Sequence, residues 1–222
     1  MKNNDTFIYV VLVESLTGFG KFIRMFSKYS YTHVAVCLRE QLDDFITFSR
    51  KKHFSPFDCG FMHEKLDCYI FGKNKSVKLK IFKVPISNKS KIEIENFIKS
   101  ISNDNEYLFN FLSMLTMPIL HGFKIYKTYN CMSFVSKILE ISNSVKLDKK
   151  YYKYNIKEID KILTPYFYEE GLFFKEKNET QEYMQHIGIP KNIYLFLRLN
   201  IILLYRLIFE RSASFEYMSS RK

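Results

Sequence analysis

The chain has 222 residues, with 34 Lys and Arg against 23 Asp and Glu, and a net charge of +11. Its 47% hydrophobic content excludes an intrinsically disordered chain, and its 7 Gly and 5 Pro exclude a collagen-like fibre. This length suits one domain with a sizeable extension, or two small domains, and it allows a core that needs no metal or disulfide.

Strands dominate the predicted elements of the first half. Residues 7–13 are seven apolar residues followed by Glu14, which is too short for a membrane span and predicts a buried strand. Thr17 is predicted to cap a short helix over residues 19–26. Further strands are predicted over residues 31–38, 45–49, 68–72 and 77–86, with an irregular loop over 51–66.

Helices dominate the predicted elements of the second half. Apolar residues at helical spacing predict helices over 88–102, 106–115, 130–141 and 156–163, a charged linker over 146–153, a return to the sheet near 172–175, and a polar connection over 178–190. The apolar stretch 193–209 contains Arg198, Asn200 and Arg206, which do not share one face of a helical wheel. That pattern favours a helix buried against the domain, or against a second subunit in a homo-oligomer, over a membrane span.

Positive charge is concentrated in residues 73–99, where eight Lys stand against Glu93 and Glu95. The alternation over 77–81 predicts a strand whose lysines form a solvated face. The alternative is a contact with an anionic surface such as lipid, cell-wall polymer or nucleic acid. Because no nucleic-acid-binding motif is present, we expect no specific nucleic-acid partner.

The four cysteines are Cys37, Cys59, Cys68 and Cys131, and no pair has CxxC spacing. We therefore expect no zinc ribbon, no redox pair and no cofactor, and a cytoplasmic protein with reduced thiols. Cys59 and His63 have CxxxH spacing, but a metal site would need four converging ligands. A substrate-binding loop and a plain surface loop are the alternatives for that segment.

One cysteine and one histidine stand where nucleophilic catalysis would need them. His33 begins a predicted strand, and Cys131 begins a predicted helix. A helix N-terminus carries partial positive charge, which favours a thiolate, and a nearby imidazole can take the thiol proton. Backbone N–H groups beside such a cysteine can bind an oxyanion.

These two segments resemble the circularly permuted NlpC/P60 branch of the papain-like cysteine hydrolases. The resemblance rests on the Tyr-Thr-His-Val segment around His33 and on the Asn-Cys-Met-Ser-Phe-Val segment that starts at Asn130. In the permuted branch the histidine strand precedes the cysteine helix, as here. The family pattern is close to Cys-Ser-x-Phe-Val, so Met132 stands where Ser is usual and Ser133 follows one place late.

The resemblance covers about residues 7–175 and implies an α+β fold, with a papain-like antiparallel sheet packed against helices. It divides the chain into a hydrolase domain, residues 1–175, and a helical C-terminal extension, residues 176–222. Cys131 would attack a carbonyl and His33 would move the proton. A hairpin centred near residues 41–42 sets Ser49 or Arg50 beside His33, and Ser49 is preferred as the third catalytic group because Arg cannot accept a hydrogen bond.

Glu14 and Glu64 remain alternatives for the group that orients the histidine, because a carboxylate is more usual there. The implied function is a cysteine peptidase or amidase that cleaves an amide or isopeptide bond through a thioester, acting on a peptide or acyl substrate. One alternative is a lipid-directed acyltransferase or thioesterase of the lecithin:retinol acyltransferase-like type. Another is a non-catalytic binding module on a degenerate hydrolase scaffold.

Overall fold

The structure is a computed structural model that describes residues 6–16, 29–175 and 183–219, with side chains described as far as Phe209. The helix predicted over 19–26 and part of the predicted polar connection, residues 178–182, lie outside these ranges.

The described chain forms a mixed α+β fold around a six-stranded antiparallel sheet. Its strands are β1 (Thr6–Val13), β2 (His33–Cys37), β3 (Phe45–Lys52), β4 (Ser55–Glu64), β5 (Ser76–Ile86) and, late in the chain, β8 (Phe167–Phe174). Their order across the sheet is β4-β3-β2-β1-β5-β8, so that β4 and β8 are the edges. Two short strands, β6 (Leu108–Phe109) and β7 (Thr128–Tyr129), pair in parallel outside this sheet.

Six helices follow strand β5 in the described part of the chain, and several of them pack on the sheet. They are α1 (Asn88–Ser102), α2 (Phe111–Leu115), α3 (Met117–Leu120), α4 (Cys131–Ser142), α5 (Ile156–Leu163) and α6 (Ile189–Ser219). The core lies between one sheet face and the helices, where Leu12 of β1 joins Phe134 and Ile138 of α4 in one buried cluster. On the opposite face Val11 joins a second cluster. Because β1 is buried on both faces, its sequence is a continuous apolar run rather than an alternating one.

The predicted irregular loop over residues 51–66 is wrong, because most of this segment forms β4. As an edge strand β4 pairs with β3 alone, and it tolerates Pro56, which cannot donate to a ladder. The strand predicted over 68–72 is also wrong. A 3₁₀ turn, Leu66–Cys68, leads instead into Tyr69 and Ile70, whose burial against the sheet accounts for their apolar character.

The helix predicted over 106–115 is divided between strand β6 and the shorter helix α2. The division falls at Asn110, whose side chain accepts a hydrogen bond from the backbone N–H of Ser113 at 3.0 Å and so caps α2. A cap favours a helix start at that residue, which leaves the preceding residues free to pair with β7.

The lysines of β5 do not lie on a free edge, since β5 pairs with both β1 and β8. Lys78 forms an ion pair with Glu170 of β8 at 2.6 Å, and Lys80 forms one with Asp160 of α5 at 2.7 Å. These carboxylates come from distant parts of the sequence. They neutralise much of the positive charge that the alternation assigned to a solvated face.

Helix α6 is longer than predicted and less buried. Of the side chains described on it, Leu199 and Leu203 are the buried ones. The expectation that it is buried against the domain is therefore wrong for most of its surface, while a contact with a second subunit stays a prediction. Within the described residues, the 21 residues Ile189–Phe209 form the one helix long and apolar enough to cross a membrane by length and composition.

Candidate active site

The structure brings His33 and Cys131 together. His33 is the first residue of β2, opposite Val13 of β1, and Cys131 is the first residue of α4. The two side chains line the same cavity, and Cys131 lies near enough to raise the pKa of His33, although 98 residues separate them in sequence. The cysteine thus lies at a helix N-terminus with an imidazole beside it, which is the arrangement that favours a thiolate–imidazolium pair.

The start of α4 is held by a capping box. The side chain of Asn130 accepts a hydrogen bond from the Ser133 backbone N–H at 2.9 Å, and the Ser133 hydroxyl accepts one from the Asn130 backbone N–H at 3.0 Å. Ser133 therefore occupies the third helical position, where it closes the box, and Met132 is buried in the core. The serine that stands one place late relative to the family pattern has a structural role here.

A buried carboxylate holds the imidazole. Glu64, the last residue of β4, accepts a hydrogen bond from Nε2 of His33 at 2.8 Å, and its side chain is 4% exposed. It also accepts hydrogen bonds from Ser49 at 2.5 Å and from Tyr69 at 2.7 Å. This fixes the orientation of the imidazole and leaves Nδ1 as its other ring nitrogen.

The assignment of Ser49 as the group that contacts His33 needs correction. Ser49 lies on the predicted strand, but its hydroxyl bonds to Glu64, and Glu64 bonds to the imidazole. The physical reason is acceptor strength, because an ionised carboxylate is a stronger acceptor for an imidazole N–H than a neutral hydroxyl. Glu14, the other alternative, follows β1, where its backbone N–H bonds to Lys78.

Burial and neighbouring charge shift the pKa values of His33 and Glu64 in opposite directions. Burial lowers the pKa of His33, but the Glu64 carboxylate and the neighbouring Cys131 raise it by a larger amount, so that it lies above its ordinary value. Burial raises the pKa of Glu64, but the His33 charge and the hydrogen bonds from His33, Ser49 and Tyr69 bring it below its ordinary value. Both shifts favour an imidazolium facing a carboxylate.

The sequence reasoning missed Tyr69. Its hydroxyl donates to Glu64, and its ring centroid lies 5.8 Å from that of His33. Burial and the neighbouring Glu64 charge raise the pKa of Tyr69 well above its ordinary value, so it remains a donor. The only signal in the sequence was an apolar run over 68–72, which indicates burial but not a place beside the histidine.

The other cysteines and histidine considered as candidate site residues, Cys59, Cys68 and His63, make no contact with the His33–Glu64 pair that resembles a catalytic or metal-binding role. His63 faces Asp44, with Nδ1 to Oδ1 at 2.9 Å, and is half exposed. Cys59 and Cys68 lie in the wall of the same cavity as Cys131. Across the described ranges no three His, Cys, Asp or Glu side chains converge as metal ligands.

A cavity of about 450 Å³ opens beside the Cys131–His33 pair. This volume lies within the range of small-molecule sites in proteins. His33, Ser49, Glu64 and Cys131 supply polar groups on its wall. Much of the remaining wall is apolar and comes from β3, β4, β6 and α2, namely Phe48, Pro56, Phe57, Phe109, Phe111 and Met114.

Comparison with known proteins finds no matching family model, no similar curated protein and no similar solved structure.

Proposed function

We propose that the chain is a cysteine-dependent hydrolase with a papain-like, permuted NlpC/P60-type domain over residues 1–175. The observation that carries the proposal is His33, held at Nε2 by a buried carboxylate and lining the same cavity as Cys131, which starts a helix. A cysteine nucleophile, a histidine base and a carboxylate that orients the histidine form the catalytic triad of thiol hydrolases, and Cys131, His33 and Glu64 would fill these three roles.

In the proposed reaction, the thiolate of Cys131 attacks the carbonyl carbon of a bound amide or isopeptide. The new S–C bond forms, and the negative charge that develops on the carbonyl oxygen is held by the backbone N–H of Cys131, which makes no bond within the helix. The bond to the leaving nitrogen then breaks, and the imidazolium of His33 gives its proton to that nitrogen. This leaves a thioester on Cys131.

Water completes the cycle. His33, now neutral, takes a proton from water as the water oxygen attacks the thioester carbonyl. The S–C bond breaks, the acid product leaves, and the thiolate–imidazolium pair is restored. Glu64 remains ionised throughout, because its role is to orient the imidazole and stabilise its charge.

A lipid-directed acyltransferase or thioesterase is the second candidate. The observation that favours it is the apolar wall of the cavity, where aromatic side chains such as Phe57 and Phe111 would suit an acyl chain better than a polar peptide. The reacting atoms are the same, and only the leaving group and the acceptor differ.

Alkylation by iodoacetamide, read for each cysteine by mass spectrometry across pH, tests the proposed pair. Cys131 should label fast well below pH 8 in the wild type and should lose this reactivity in His33→Ala. The other thiols are internal controls, because burial raises the pKa of both Cys59 and Cys68 to about 12. Equal, slow labelling of Cys131 in both proteins would favour the binding-module alternative.

Substrate panels then separate the two enzyme classes. Fluorogenic peptides and isopeptides should be cleaved if the chain is a peptidase or amidase, whereas long-chain acyl thioesters and phospholipids should be cleaved if it is lipid-directed. In either case Cys131→Ala abolishes turnover, which controls for contaminating hydrolases.

A further inference from the structure

Helix α6 presents an apolar face to solvent. Six residues, Ile193, Leu197, Ile201, Leu204, Tyr205 and Ile208, are between 47% and 65% exposed. At 3.6 residues per turn they fall within about 120° of one another on the helix. A surface helix of a soluble protein normally places charged and polar residues on this side.

Three polar side chains of the helix make hydrogen bonds within the protein. Arg206 donates to the backbone carbonyl oxygens of Glu106 at 2.9 Å and Tyr126 at 3.3 Å. Asn192 accepts from Ser55 at 2.8 Å, and Asn200 donates to the carbonyl oxygen of Phe196 one turn earlier, also at 2.8 Å. Polar groups satisfied by the protein itself do not need water, which suits a helix with lipid on its outer side.

The domain fixes the orientation of the helix. Leu199 and Leu203 are buried against Ile125, and Arg206 reaches the same region. The buried contacts of Leu199 and Leu203 lie in the middle of the apolar segment, whose 21 residues are about 32 Å long. A helix that crossed a bilayer would place the domain inside the hydrocarbon, so a helix that keeps these contacts must lie parallel to the surface.

We propose that the outer face of α6 docks the domain on an anionic lipid bilayer, with the helix in the plane of the interface. Charge complementarity supports this partner, because the chain carries a net charge of +11 and Lys191 and Arg198 are exposed along the helix. A second copy fits less well, because a stable protein interface takes about 20–30 residues a side. The six apolar residues of one helix face fall well short of that.

Flotation of the full chain with vesicles tests the proposal. Vesicles of phosphatidylcholine with phosphatidylserine should carry the wild type upward, and those without phosphatidylserine should carry less of it. The variant Ile201→Glu/Ile208→Glu changes two side chains of the outer face, and its partition into the anionic vesicles should fall more than tenfold.

The matched control is Ile92→Glu/Leu172→Glu, which places two charges on exposed apolar residues of α1 and β8. It should float as the wild type does, and circular dichroism should show both variants folded. Cys131→Ala should float equally well, because docking does not depend on the proposed catalysis.

The proposal is overturned if the wild type stays with the aqueous fraction, or if the α6 variant floats as well as the wild type. If the wild type fails to float and sedimentation shows a dimer that the α6 variant dissociates, the face belongs to a second copy of the chain.

Discussion

Replacing Glu64 by Gln should separate its role from that of Ser49. Glu64 is buried and ionised, and it accepts hydrogen bonds from His33, Ser49 and Tyr69. Gln keeps the shape but removes the charge, and only one of its two terminal atoms can accept a hydrogen bond. The imidazolium then loses its counter-ion, and at least one of the three donors loses its acceptor.

The magnitude follows from the kind of hydrogen bond that is lost. A hydrogen bond to a charged group contributes about 1.5–3 kcal/mol, and 1.4 kcal/mol corresponds to about a factor of ten in an equilibrium. The thiolate–imidazolium pair should therefore become about 10- to 150-fold less populated in Glu64→Gln. Ser49→Ala removes a donor to Glu64 and leaves the carboxylate charged and bonded to His33 and Tyr69, so a clearly smaller loss than in Glu64→Gln is expected.

The assay is the rate of alkylation of Cys131 at pH 6–7, measured for the wild type, Glu64→Gln and Ser49→Ala. Urea unfolding of each protein shows that it is folded under the assay conditions. The role of Glu64 as the orienting group is refuted if Cys131 in Glu64→Gln labels at the wild-type rate. It is also refuted if Ser49→Ala slows labelling as much as Glu64→Gln does, because that would make Ser49 the orienting group.

Three further predictions follow from the same contacts. The pair His33–Glu64 should stabilise the fold most between about pH 4.5 and pH 6.5. The His33 contribution is complete below about pH 6.5 and is lost as pH rises through its raised pKa, and the Glu64 contribution is complete above about pH 4.5 and is lost as pH falls through its lowered pKa. The difference in unfolding free energy between wild type and Glu64→Gln, measured by urea titration across pH, should therefore be largest between about pH 4.5 and pH 6.5, and a difference that does not vary with pH would contradict the ion pair. Asn130→Ala should destabilise the protein by about 0.5–2 kcal/mol because the N-cap of α4 is lost, and the urea midpoint should fall accordingly. An unchanged midpoint would show that the Asn130 cap does not stabilise the fold. Leu203→Ala should cost about 2–5 kcal/mol at the contact between α6 and the domain, and hydrogen exchange should accelerate in α6 while the amides of β1 keep their protection.

The local sequence pattern was sufficient to predict an element wherever that element depends on residues close to one another in the chain. The helix predicted over 156–163 is present with those bounds, since the capping box of Asn155 with Glu158 is complete within one turn. The strand predicted over 7–13 is present as β1 because a continuous apolar run is typical of a strand buried on both faces. The positions of His33 at a strand start and Cys131 at a helix start were predictable for the same reason.

The tertiary structure decided which distant groups meet. Glu64 was one of several acidic candidates, and only the folding of residues 55–64 into the edge strand β4 sets its carboxylate beside His33. Tyr69 carried no sequence signal for the site. Burial of long side chains depends on what the rest of the chain places against them.

The lysine-rich strand β5 and the apolar helix α6 show the same division between what the sequence determines and what the fold decides. The sequence determined that β5 is rich in lysine and that α6 is apolar. Only the fold decided that Lys78 and Lys80 meet carboxylates from β8 and α5, and that Arg206 turns inward and leaves an uncharged outer face on α6. Composition sets what a segment can bury or pair with, but packing of segments far apart in sequence determines which of its faces reaches solvent.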